Sequence, residues 1–125
     1  MKTLEKSYTA SFNEENGELH SSIAGLWSED SIQEYFDAVN DSAVPLLKAR
    51  KSIHAFVDFS GFVPQDRGTS EKIRDHLLAS AKFGLKRIAI IGATPLMQMQ
   101  YKRLSHGIEV SFKDNKLEAL AWLRS

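Results

Sequence analysis

Residues 7–12 (Ser7, Tyr8, Thr9, Ala10, Ser11, Phe12) alternate strictly between small polar side chains and a Tyr8/Ala10/Phe12 face. Asn16-Gly17 follows, a turn pair because both residue types tolerate positive φ. Leu19, Ser21 and Ile23 then alternate against His20, Ser22 and Ala24. The two segments predict an antiparallel hairpin with one face on a core. The period changes after Ser28, a suitable N-cap with Glu29 and Asp30 behind it. Ile32, Tyr35, Phe36, Val39 and Ala43 recur at helical spacing, and Pro45 should kink the helix or split off a short piece with Leu46 and Leu47.

The second half repeats a strand–helix rhythm. Residues 53–59 read as a buried strand, and a breaker-rich loop runs from Ser60 to Thr69. Ser70 is expected to cap a helix whose inner face carries Ile73, Leu77 and Ala81, with Gly84 at its C-terminal end. Residues 87–91 have the near-continuous apolar character of a central parallel strand. Gly92-Ala93-Thr94-Pro95 turns the chain into a third helix, with Thr94 as N-cap, Pro95 at the first helical position, and Met97, Tyr101 and Leu104 facing inward. His106-Gly107 ends it, 108–112 alternates as a strand, and a last helix spans about Asn115 to Leu123. The order β-β-α-β-α-β-α-β-α predicts an α/β fold: a mixed sheet of about five strands, an antiparallel hairpin followed by mainly parallel pairings, and about four helices.

Composition narrows the classes. A chain of 125 residues suits one domain. Sixteen basic residues balance sixteen acidic ones, so there is no global attraction for phosphates, which argues against a nucleic-acid partner. Cysteine is absent, which excludes disulfides, thiolate metal sites and a cysteine nucleophile. No signal-peptide pattern and no membrane-spanning apolar run is visible, so the expected location is the cytoplasm. His20, His54, His76 and His106 form no ligand pair and read as surface or strand-edge residues, so no metal and no cofactor is expected.

Three phrases in order resemble the STAS and SpoIIAA-like group. They are Val57-Asp58-Phe59-Ser60-Gly61-Phe62, Leu85-Lys86-Arg87-Ile88-Ala89-Ile90-Ile91-Gly92, and Glu118-Ala119-Leu120-Ala121-Trp122-Leu123. The closing phrase and the Lys86-Arg87 pair are most similar to the subset related to Sec14 lipid-transfer domains. The resemblance implies a SpoIIAA-like domain that binds or regulates rather than catalyses. Antagonists of this group carry a phosphorylated serine after an aspartate in the loop beyond the third strand. Asp66 stands at that aspartate position and Arg67 at the serine position, and a guanidinium accepts no phosphoester. Thr69 and Ser70 lie close by.

Open α/β sheets bind ligands beyond the carboxyl ends of their strands, where the Asp58–Thr69 loop and the Gly92–Pro95 turn should lie. Asp58 could act as an acid or base, or hold its loop by accepting N–H bonds from Ser60 or Gly61. Gly92 and Thr94 could cradle an anion at a helix N-terminus, or only turn the chain and cap the helix. Phe59, Phe62 and Val63 put apolar bulk in a loop, beside Leu96 and Met99, and could line a pocket for an acyl chain or form a small core beneath the loop. The candidate binding set is therefore Asp58, Phe59, Ser60, Phe62, Val63, Arg67, Gly92, Thr94, Leu96 and Met99, without a catalytic residue. The expected function is a non-enzymatic module for an apolar, lipid-like small molecule or a protein partner. Peripheral membrane contact and a homodimer through the hairpin remain compatible with it. The competing reading is a small hydrolase or transferase built on the Asp58 loop and the Thr94 helix N-terminus.

Overall fold

The computed structural model describes residues 5–49 and 52–125. Strands β1 (Ser7–Asn13) and β2 (Glu18–Ala24) form the hairpin; α1 (Glu29–Ala49), β3 (Ile53–Asp58), α2 (Arg67–Phe83), β4 (Leu85–Ile91), α3 (Pro95–Leu104), β5 (Glu109–Lys113) and α4 (Lys116–Leu123) follow. The sheet order is β1-β2-β3-β4-β5, antiparallel between β1 and β2 and parallel thereafter. The expected element order, mixed sheet and helix count are those observed.

Alternation along the strands makes two faces. Leu19, Ile23, Ile53, Ala55, Val57, Leu85, Ile88 and Ile90 pack with α1, α2 and α3 in the main core. Phe56, Ala89 and Ile91 point the other way, onto Ala119, Leu120, Trp122 and Leu123 of α4. One long interface therefore lies under three helices, and a shorter one under α4.

Local chemistry explains most boundaries. The Ser28 hydroxyl accepts the Ser31 N–H (3.1 Å) while the Ser31 hydroxyl accepts the Ser28 N–H (2.9 Å), a reciprocal cap on α1. The expected break at Pro45 does not occur: α1 continues to Ala49. Proline costs an interior helix about 3 kcal/mol, but Ala43 and Leu46 on either side of it are both buried in the core and hold the last turn in place. Helix α2 begins earlier than expected. Asp66 is the N-cap, accepting the Thr69 N–H at 2.9 Å. Ser70 lies inside the helix, its hydroxyl donating to the Gln65 carbonyl at 3.3 Å. The Asp66 carboxyl is held below the usual range by the Thr69 backbone and side-chain hydrogen bonds. Phe12, placed on the core face by its alternation, is 42% exposed because it lies on the outermost strand.

A candidate ligand cavity between the sheet and two helices

Between the sheet, α1 and α2 lies a cavity of about 110 Å³. Strand residues such as Leu19, Ala55, Val57 and Ile88 form its floor, and Ile32, Phe36, Ala43, Ile73 and Leu77 form its helical walls. Phe59, Phe62 and Tyr101 close one end; the rings of Phe59 and Phe62 are 4.9 Å apart and those of Phe59 and Tyr101 5.1 Å. Asn40, Leu47, Ser80, Phe83 and Leu85 line the other end, where Asn40 and Phe83 are exposed. That end belongs to the amino ends of the parallel strands, because Leu85 opens β4 and pairs with Ile53 at the start of β3.

Few polar groups meet the cavity. The hydroxyls of Ser21 and Tyr35, 2.9 Å apart, bond to each other in the interior. Burial pushes the Tyr35 phenol up to about 12, partly offset by that bond, and burial with the nearby Tyr35 raises Tyr101 further still. Both stay neutral at ordinary pH. His76 lies flat on Phe36, with ring centroids 4.1 Å apart and planes at 8°. Burial lowers its pKa to about 4, so its imidazole is neutral at pH 7. The expectation of a surface histidine fails here, because His76 shares the inner stripe of α2 with Ile73, Leu77 and Ser80. Helical spacing carried that signal in the sequence.

The ten candidate residues do not form one surface. Phe59 and Phe62, each 3% exposed, belong to the main core and line the cavity, so they are not loop aromatics waiting for a partner. Val63 is half-buried outside the lining. Asp58 holds its turn: one carboxylate oxygen accepts both the Ser60 N–H (2.8 Å) and the Ser60 hydroxyl (2.6 Å). Gly92 adopts φ 75°, and a Cβ there would collide with the Ser60 hydroxyl, so only glycine suits this close crossing of two turns. Thr94 caps α3 by accepting the Met97 N–H at 3.2 Å. Gly92 and Thr94 border a shallow cleft with Gln98, Phe112, Lys113 and Asp114 at the carboxyl ends of the strands. Leu96 and Met99 are 67% and 54% exposed on α3. The Arg67 side chain is 94% exposed and lies 3.4 Å from the Glu71 carboxylate. Thr69 is fully buried, and its hydroxyl donates to the Trp27 carbonyl at 3.3 Å.

Two polar clusters had no sequence signature. Buried Gln65 accepts the Trp27 N–H (2.8 Å) and donates to the Gly25 carbonyl (3.1 Å), while its own backbone exchanges hydrogen bonds with the Gln100 amide at 2.9 and 2.8 Å. This cluster fixes the segment after β2, the loop after β3 and α3 relative to one another. Glu18 is fully buried on the α4 side. Arg124 donates to it twice (2.8 and 2.9 Å), and His20 lies 2.9 Å from it. Burial alone would raise the Glu18 pKa, but the Arg124 and His20 bonds outweigh it and the net shift is downward. Among the described residues, no group of three or more acidic, histidine or cysteine side chains is arranged to hold a metal ion.

No family model matches the chain, and no curated protein does. A solved structure does: an uncharacterized protein of the DUF3478 family with a SpoIIAA-like fold, from Shewanella loihica PV-4. The similarity has a TM-score of 0.69 and 19% identity, over 94% of this chain and 93% of the other. The chain therefore has a SpoIIAA-like fold. No helix among the described residues is long and apolar enough to cross a membrane.

Proposed function

We propose that the chain is a non-enzymatic binding module that holds a small apolar molecule between α1, α2 and the sheet. The observation that carries this reading is the cavity itself. Protein interiors pack to crystal-like density, with few voids larger than a water. A void of about 110 Å³ among aliphatic and aromatic side chains approaches the roughly 150 Å³ that takes up a benzene-sized guest and stays dry without one. The Ser21 and Tyr35 hydroxyls share one hydrogen bond, and the greater part of the lining is aliphatic and aromatic. The hydrogen bonds of Asp58 with Ser60 and of Thr94 with the Met97 N–H are of the kind that hold a turn and cap a helix.

The test has two arms. Mass spectrometry of organic extracts from freshly purified protein should find a small lipophilic molecule travelling with the chain. Calorimetric titration of ligand-stripped protein with 1-octanol should give saturable binding at one site. Extracts identical to a buffer control, together with no saturable heat, would refute the proposal.

A further inference from the structure

Strand β1 closes one side of the sheet, and among the described residues no strand pairs with its outer backbone edge. Edge strands are usually blunted by charges, proline, a bulge or shortness, because an open row of N–H and C=O groups recruits another strand. The opposite edge follows that rule. Strand β5 is five residues long and carries Glu109 and Lys113. Glu109 is held by Arg87 at 2.9 Å, and the Lys102 ammonium lies over the Phe112 ring. Strand β1 has none of these devices. Its seven residues include no charge, proline or glycine, and their register with β2 runs through without a bulge. Phe12 stands on this edge 42% exposed.

The strand is also complementary to itself. Two antiparallel copies related by a two-fold axis at Ala10 pair Ser7 with Asn13, Tyr8 with Phe12 and Thr9 with Ser11. Residues directly opposite in an antiparallel pair share a face. Each exposed Phe12 ring therefore meets a Tyr8 ring on one face, and small polar side chains meet on the other. One residue past each end of the strand, Lys6 of one copy falls opposite Glu14 of the second, an unlike pair of charges. Helix α1 leaves room for the approach. It packs mainly on β1, with the Tyr35 ring 5.8 Å from that of Tyr8. Helical spacing from Tyr35 puts three small side chains, Ala38, Ser42 and Ala49, on the same flank, where a second α1 would lie alongside.

We infer that the chain forms a symmetric dimer by antiparallel pairing of β1 with β1 of a second copy, which joins the two five-stranded sheets into one. The cavity between α1 and α2 plays no part in this contact.

The chain has no cysteine, so an introduced one reports on the interface alone. In the dimer Ala10 faces Ala10 of the second copy, with Cα atoms about 4.5–5.5 Å apart, inside the roughly 4.4–6.8 Å span of a disulfide. Ala10→Cys is therefore expected to cross-link as a dimer under mild oxidation, while Ser111→Cys, at the centre of β5, is not. Sedimentation equilibrium of the wild type should show a mass that rises with concentration toward twice 14.0 kDa. Thr9→Lys/Ser11→Lys sets lysine opposite lysine on the exposed face of the pair. This variant should stay monomeric and keep the circular dichroism spectrum of the wild type. A wild-type mass of 14.0 kDa at millimolar concentration overturns the inference. So does a dimer that survives the two lysines, or one that cross-links through Ser111→Cys and not through Ala10→Cys. If the lysine variant fails to fold, the wild-type mass and the two cysteine variants decide the question.

Discussion

Ala43→Leu fills the cavity from α1 and separates the ligand site from the rest of the fold. Ala43 is buried and lines the cavity on the inner face of the helix. Alanine and leucine are both strong helix formers, so the backbone is indifferent to the change. At about 24 cal/mol per Å³, a void of about 110 Å³ costs the fold about 2.6 kcal/mol. Leucine adds three carbon atoms, worth about 2.4 kcal/mol at about 0.8 each, against about 0.5–1 kcal/mol of rotamer entropy. The ligand-free variant should therefore gain about 1–2 kcal/mol, a rise of several degrees in Tm for a chain of this size. Thermal unfolding followed by circular dichroism measures the gain, and titration with 1-octanol should show binding lost. A variant that melts lower and still binds octanol would refute the reasoning, because it would mean that no space exists beside Ala43.

Three further outcomes follow from the interior. His76 is depressed to about 4 in the fold against 6.5 in the unfolded chain, so the unfolded state takes up the proton first. Its contribution is fully present above pH 6.5 and is lost as pH falls toward 4, by up to about 3 kcal/mol before allowance for partial exposure; denaturant melts of His76→Leu should lose less stability across that window than the wild type. Phe62→Ala should cost about 3–5 kcal/mol in denaturant melts, as expected for a buried aromatic and not for a surface contact. Arg124→Ala leaves the buried Glu18 carboxylate with His20 as partner, so the Glu18 pKa should rise and acid unfolding should move to higher pH.

The architecture was legible because each element advertises itself within a few residues. The alternation of Tyr8 to Phe12, the turn at Gly17, the run Ile88 to Ile91 and the cap at Thr94 are all local signals, and each lies where it was expected. Boundaries failed where two local signals competed. Asp66 and Ser70 can both cap a helix, and the choice between them is set by Thr69, which is buried beneath Trp27, a residue distant in sequence. The site was harder to read for the same reason. In the sequence Phe59 and Phe62 read either as pocket lining or as a small core beneath the loop, because periodicity does not tell a loop aromatic from one folded back into the core. The cavity is lined jointly by Val39, Asn40 and Ala43 of α1 and His76 and Ser80 of α2, and how two helices meet is not written in either helix alone. Glu18 and Arg124 are 106 positions apart, so no spacing rule joins them.

The most direct test of a ligand in the interior is an NMR titration with 1-octanol, with methyl groups assigned and intermolecular NOEs collected. The account predicts NOEs from the octyl chain to Ile32, Leu47, Val57, Ile73, Leu77 and Ile88, with shifts diminishing toward α4. NOEs absent from these methyls, or shifts confined to the cleft around Gly92, Thr94 and Gln98, would contradict it.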